Sequence, residues 1–209
     1  MKHGNAGRHK QAVRCFRKGA RLGEPYAQVN LGDCFKLGSI VKKNAVLAAQ
    51  WWQAAVYQGL SHAQCCLGVC YLKGEGVPKN HSKAALLFQA AAKQSFPPAE
   101  TNLGVCFRQG WGVPQDLRKA FVRFKKAAKH GDLEGQIALG LAYLAGDGVG
   151  KDVQQAYHWL RLAARQRKPK AQHGLANVLD LVTVERMECY RNPEERVVVG
   201  YTGGYIQGY

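Results

Sequence analysis

The chain has 209 residues, is 46% hydrophobic, and carries 30 Lys/Arg against 14 Asp/Glu for a formal net charge of +16. No apolar run approaches the roughly 18 residues that span a bilayer, and Met1 is not followed by the apolar core of a secretory signal. The balance points away from a membrane-spanning or secreted chain and toward acidic protein, nucleic acid or anionic lipid as partners.

Residues 1–22 hold seven Lys/Arg and no carboxylate, a composition shared with mitochondrial targeting segments. Against that reading, Ala12, Phe16 and Ala20 recur every four residues, which places them on one face of a helix over 8–22. From Ala27 a 36-residue pattern then runs four times without insertion or deletion, as 27–62, 63–98, 99–134 and 135–170. The organisation expected is a half unit in 1–26, four full units in 27–170, the first helix of a fifth in 171–182, and a non-repeating Gly/Tyr-rich tail in 183–209. A fixed period of this size marks a solenoid, in which each unit buries its apolar face only against its neighbours. The fold class expected is an all-α, right-handed α-solenoid of helix-turn-helix repeats.

Each unit opens with small or apolar residues at helical spacing, with Leu31, Leu67, Leu103 and Leu139 at the fifth position and Gly32, Gly68, Gly104 and Gly140 at the sixth. Loops follow: Gly74-Glu75-Gly76-Val77-Pro78, Gly110-Trp111-Gly112-Val113-Pro114, Gly146-Asp147-Gly148-Val149-Gly150, and a degenerate Gly38-Ser39-Ile40-Val41. Glycine there permits a left-handed cap and proline cannot continue a helix, so the loops are turns rather than phosphate cradles. Asn44, Asn80, Asp116 and Asp152 are preferred N-caps for a second helix. That helix carries Ala48, Ala84, Ala120 and Ala156, then Trp52, Phe88, Phe124 and Leu160 four residues on, a large side chain between small ones.

The seven cysteines read as packing residues. Cys34, Cys70 and Cys106 share the slot of Ala142, too far from one another for a disulfide, and no Cys-x-x-Cys pair is present. A reducing intracellular compartment is expected, the cytoplasm first and the mitochondrion second. The seven His residues fall at unrelated slots with no spacing that suggests a metal or catalytic pair, and neither an enzymatic centre nor a cofactor is expected. Trp111 has no packing slot and is read either as a partner anchor or as folded back on its own repeat.

The segments Ala-x-x-x-Leu-Gly-x-x-Tyr, Gly-x-Gly-Val-x-x-Asp and Ala-x-x-x-Trp/Phe-x-x-Ala-Ala-x-x-Gly together resemble the Sel-one-like repeat family over residues 8–182, a family related to tetratricopeptide repeats. The resemblance implies a non-enzymatic adaptor or scaffold. A cysteine-rich branch of the family is associated with β-lactam or peptidoglycan binding, but its units carry paired cysteines where this chain has single ones, so a β-lactam- or peptidoglycan-related hydrolase is the most distant of the readings the resemblance implies.

By the same resemblance, the third, seventh and tenth positions of the first helices line a concave groove. They include Cys65, Val69 and Leu72, Thr101, Val105 and Arg108, and Ile137, Leu141 and Leu144. A mostly aliphatic set suits an extended or helical protein segment. The opposite face of the second helices has no acid in twenty positions, and its cations include Arg14, Arg17, Arg21, Lys93, Arg118, Lys125, Lys129, Arg161 and Arg165. The first expectation is thus a protein partner in the groove, and the basic ridge would attract acidic protein. The second is an RNA or acidic membrane on the basic ridge. Self-association through the open solenoid ends is a third mode of contact.

Overall fold

The computed structural model describes residues 3–38, 40–165 and positions 174, 176 and 178, with residues 3–10 described by backbone alone. Among the described residues nine helices follow one another without a strand: α1 His3–Arg21, α2 Pro25–Leu37, α3 Ala45–Tyr57, α4 Ser61–Lys73, α5 His81–Lys93, α6 Pro97–Gln109, α7 Leu117–Lys129, α8 Leu133–Ala145 and α9 Val153–Ala164. Each helix packs mainly on its chain neighbours, and α6 also meets α8. That is the contact pattern of a helical-hairpin solenoid.

The loop chemistry sets the boundaries. Asn44 and Asn80, Asp116 and Asp152 each accept the backbone N–H three residues on, at 2.9 to 3.0 Å. Gly38, Gly74, Gly110 and Gly146 close the preceding helices with φ between 70° and 83°. The first helix departs from expectation by starting at His3 rather than near residue 8. The slot that holds the capping Asn or Asp in later units is Arg8 here, so no side-chain acceptor interrupts the helix.

The sixth-position glycines explain how the hairpins close. A Cβ on Gly32, Gly68, Gly104 or Gly140 would lie 2.5 to 2.6 Å from Trp52, Phe88, Phe124 or Leu160. Each large side chain of a second helix therefore rests on bare backbone of the first, and the core is a row of such contacts. Cys34, Cys70 and Cys106 are buried as the Ala142 slot requires, and the six described cysteines are free thiols. Burial pushes the thiols of Cys65 and Cys106 up to about 11.

A buried polar slot accompanies this core: Gln28, Gln64, Glu100 and Gln136. Gln58 donates to Gln28 and to the Gly23 carbonyl, both at 2.9 Å, and Gln94 repeats the link one unit on with Gln64 and Gly59. Glu100 instead receives Arg123 at 3.0 Å and Lys126 at 2.5 Å from α7. Gly174, Ala176 and Val178 are helical, and Val178 is buried beside Ile137 and Leu160. The remainder of the expected helix 171–182, and the tail 183–209, lie outside the described residues.

Candidate binding faces

Arg14, Arg17, Arg21, Lys93, Arg118, Lys125, Lys129, Arg161 and Arg165 are all exposed. None of them meets a carboxylate within ion-pair distance among the described residues. Leu86 and Val122 are exposed on α5 and α7, beside some of these cations, and Val46 and Tyr57 are exposed on α3, which carries no Lys or Arg. The outer face is thus amphipathic, with exposed aliphatic and aromatic side chains on α3, α5 and α7 and cations on α1, α5, α7 and α9.

One concavity interrupts this face. A cavity of about 590 Å³ opens between α1, the loop after α2 and the start of α3, with Val13, Phe35 and Leu47 inside and Arg14, Arg17, Lys42 and Lys43 around them. The degenerate loop forms one wall of it. In the other units the second loop glycine sits against the preceding second helix, where a Cβ on Gly76, Gly112 or Gly148 would fall 2.1 to 2.2 Å from the carbonyl oxygen of Ala45, His81 or Leu117. Ile40 occupies that slot in the first unit, and its Cβ forbids the same approach. Ile40 and Val41 pack instead on the cluster that holds Val13 and Ala20 of α1, and they line the gap.

On the first helices the expected groove divides. Cys65, Thr101 and Ile137 are 6%, 7% and 1% exposed, so they belong to the core rather than to an open channel. The reason is angular, since the third position turns toward the adjoining helices. Cys65 packs with Phe88 and Ala99, Ile137 with Leu160, and the Thr101 hydroxyl donates to Asp132 at 2.6 Å. Val69, Leu72, Val105, Arg108, Leu141 and Leu144 remain half-buried, with the Arg108 guanidinium 5.8 Å from the centre of the Phe124 ring. The fourth position, not the third, completes this face, through exposed Asn30 and half-buried Cys66, Asn102 and Ala138.

At its N-terminal end the same face gathers Asp33, His62 and Cys66, with one donor atom from each within 4.8 Å of the others. His62 Nε2 lies 3.5 Å from Asp33 Oδ2, and the buried Trp52 indole donates to Oδ1 at 3.1 Å. The hydrogen bond to Asp33 raises the His62 pKa above its usual 6.5, and burial with the Asp33 charge raises that of the Cys66 thiol. In the sequence, His62 is one of seven histidines at unrelated slots with no metal spacing. His62 and Cys66 are in fact one helical turn apart on α4, a spacing that signals a shared face, while Asp33 joins them only through packing of α2 on the next unit. Trp111 is half-buried on the preceding unit, its ring 5.4 Å from His81 at the start of α5. It packs on the cluster that joins Phe88 of that unit to Leu103 and Cys106 of its own. No described helix is long and apolar enough to cross a membrane.

Five consecutive matches to the Sel1 repeat model cover residues 8–24, 25–60, 61–96, 97–132 and 133–167, in phase with the hairpins. The chain belongs to the Sel1 repeat family. Among solved structures, a Sel1 repeat protein from Oxalobacter formigenes is 33% identical with a TM-score of 0.68, the match covering 83% of this chain and 71% of that one. The protective antigen c5321 of uropathogenic Escherichia coli, which displays the same fold, is 34% identical with a TM-score of 0.69 over 76% of this chain. This chain spans only 34% of the length of that antigen. No curated protein matches the sequence. Sel1 repeats are scaffold units that mediate protein–protein contacts.

Proposed function

We propose that this Sel1 repeat chain seats a protein segment on the face formed by α2, α4, α6 and α8. The observation that carries the reading is the run of half-buried aliphatic side chains at one slot of successive units, Val69, Val105 and Leu141, flanked by Leu72 and Leu144. Partly exposed aliphatic groups repeated at fixed intervals offer anchors for a segment laid across the units, with Asn30 and Asn102 as polar contacts beside them. The test is affinity capture with partner identification, using the wild-type chain and a Val105→Glu, Leu141→Glu double variant. Loss of a specific partner with the helical circular dichroism retained supports the reading. Unchanged capture overturns it.

The cavity ringed by Arg14, Arg17, Lys42 and Lys43 favours a second reading, in which an anionic partner docks on the basic outer face. Residues 34–74 contain no Asp or Glu, so no carboxylate from the enclosing loop and α3 neutralises those cations. Binding to RNA or anionic vesicles that weakens steeply with salt, and again on replacing Arg14 and Arg17 with Glu, is the outcome expected. Absence of binding at low salt removes this reading.

A further inference from the structure

The units differ least where they pack, so a place where several departures from the repeat meet asks for a separate explanation. The seventh position is Val69, Val105 and Leu141 in three units but Asp33 in the first. The large side chain of the second helix is Phe88, Phe124 or Leu160 elsewhere but Trp52 beside Asp33. The fourth position is Asn30, Asn102 and Ala138, but Cys66 in the unit that faces Asp33. His62 stands one turn before Cys66 on the same helix face. All these departures converge on one spot.

We propose that Asp33, His62 and Cys66 form a binding site for a borderline-soft divalent cation of the Zn²⁺ class. The three side chains supply oxygen, nitrogen and sulfur, a donor set that suits such an ion and not Mg²⁺ or Ca²⁺. Zinc bonds of about 2.0 to 2.3 Å place tetrahedral donors roughly 3.3 to 3.7 Å apart. The imidazole and carboxylate already stand at 3.5 Å, and all three donor atoms fall within 4.8 Å. Cys66 has one side-chain torsion, and a change in it is the movement that would bring the half-buried thiol to bonding distance. The Trp52 indole holds Oδ1 of Asp33, so the other oxygen stays directed at His62, the outer-shell arrangement that orients a ligand. Lys36 is the cation nearest this spot on α2, and it is tied to Glu75. The imidazole and carboxylate side chains are 49% and 33% exposed, which leaves a fourth coordination position open to water. On binding, metal–oxygen, metal–nitrogen and metal–sulfur bonds form, the Cys66 thiol proton passes to solvent, and a protonated His62 releases its proton as well.

The experiment is a Co²⁺ titration of the full chain after reduction and removal of metals by chelator. One equivalent per chain should give a thiolate-to-cobalt charge-transfer absorption that Zn²⁺ displaces. Cys66→Ser should abolish the absorption, whereas Cys15→Ser, which changes an exposed thiol elsewhere, should leave it intact. His62→Gln and Asp33→Asn, the latter retaining an acceptor for Trp52, should each weaken Co²⁺ binding at least about tenfold. Circular dichroism of each variant separates loss of the site from loss of the fold. No charge-transfer absorption at one equivalent overturns the proposal, as does an absorption that survives in Cys66→Ser.

Discussion

Ser95 is the one non-glycine residue with positive φ among the described residues, at 59°, in a slot that holds Gly23, Gly59 and Gly131 in other units. A side chain in the left-handed region costs roughly 1 to 2 kcal/mol, partly offset by the smaller unfolded-state entropy of serine relative to glycine. Ser95→Gly should therefore raise stability by about 0.5 to 1 kcal/mol, read as a higher urea midpoint at unchanged slope. A lower midpoint would show that the serine side chain contributes more than its backbone costs. Glu100 supports a second expectation, because its carboxylate is buried in a slot otherwise filled by glutamine. Replacing both Arg123 and Lys126 with Ala strands that charge and should cost about 3 kcal/mol, near the low end for broken buried pairs because the two cations stay partly hydrated. Adding Glu100→Gln should recover most of the loss, and a triple variant no more stable than the double would contradict the assignment.

At the scale of elements, the loops carry information that the helices do not. Gly112 has φ 71° and stands where a Cβ would meet the His81 carbonyl at 2.2 Å, so Gly112→Ala combines backbone strain with a clash between successive units. A loss of about 2 to 4 kcal/mol in chemical denaturation is expected. A loss below about 0.5 kcal/mol would mean that the loop can shift to make room for the added methyl group. The caps, the glycine turns and the large-on-small pairing were legible in the sequence because they depend on local backbone geometry and on a period set by the unit itself. Which side chains of the first helices stay accessible was legible only in part. Helical spacing places the third, seventh and tenth positions on one broad arc, but which edge of that arc is covered depends on where the neighbouring helices lie, and they cover Cys65, Thr101 and Ile137. The start of α1 was missed because the sequence signals caps by their presence, and at Arg8 the signal is an absence.

For the whole molecule, stability should behave as a sum over units and their interfaces. Removing 97–132, one unit in register, takes Glu100 together with Arg123 and Lys126 and brings the Gly148 loop to the position the Gly112 loop now holds on α5. The shortened chain should keep its mean residue ellipticity, unfold cooperatively, and show a lower midpoint and a smaller urea slope. Loss of helicity or a broad multi-step transition would mean that the units are less interchangeable than their spacing implies. What the sequence by itself determined was the period, the hairpin within each period, the free packing role of Cys34, Cys70 and Cys106, and the acid-free outer face, since each follows from residue types at fixed separation along one chain. Only the tertiary structure decided which inner-face side chains are covered, that Ile40 lines a cavity together with Val13 of α1, and that Asp33, His62 and Cys66 meet. Those outcomes depend on contacts between successive units, where distance in space is set by stacking and not by separation along the chain.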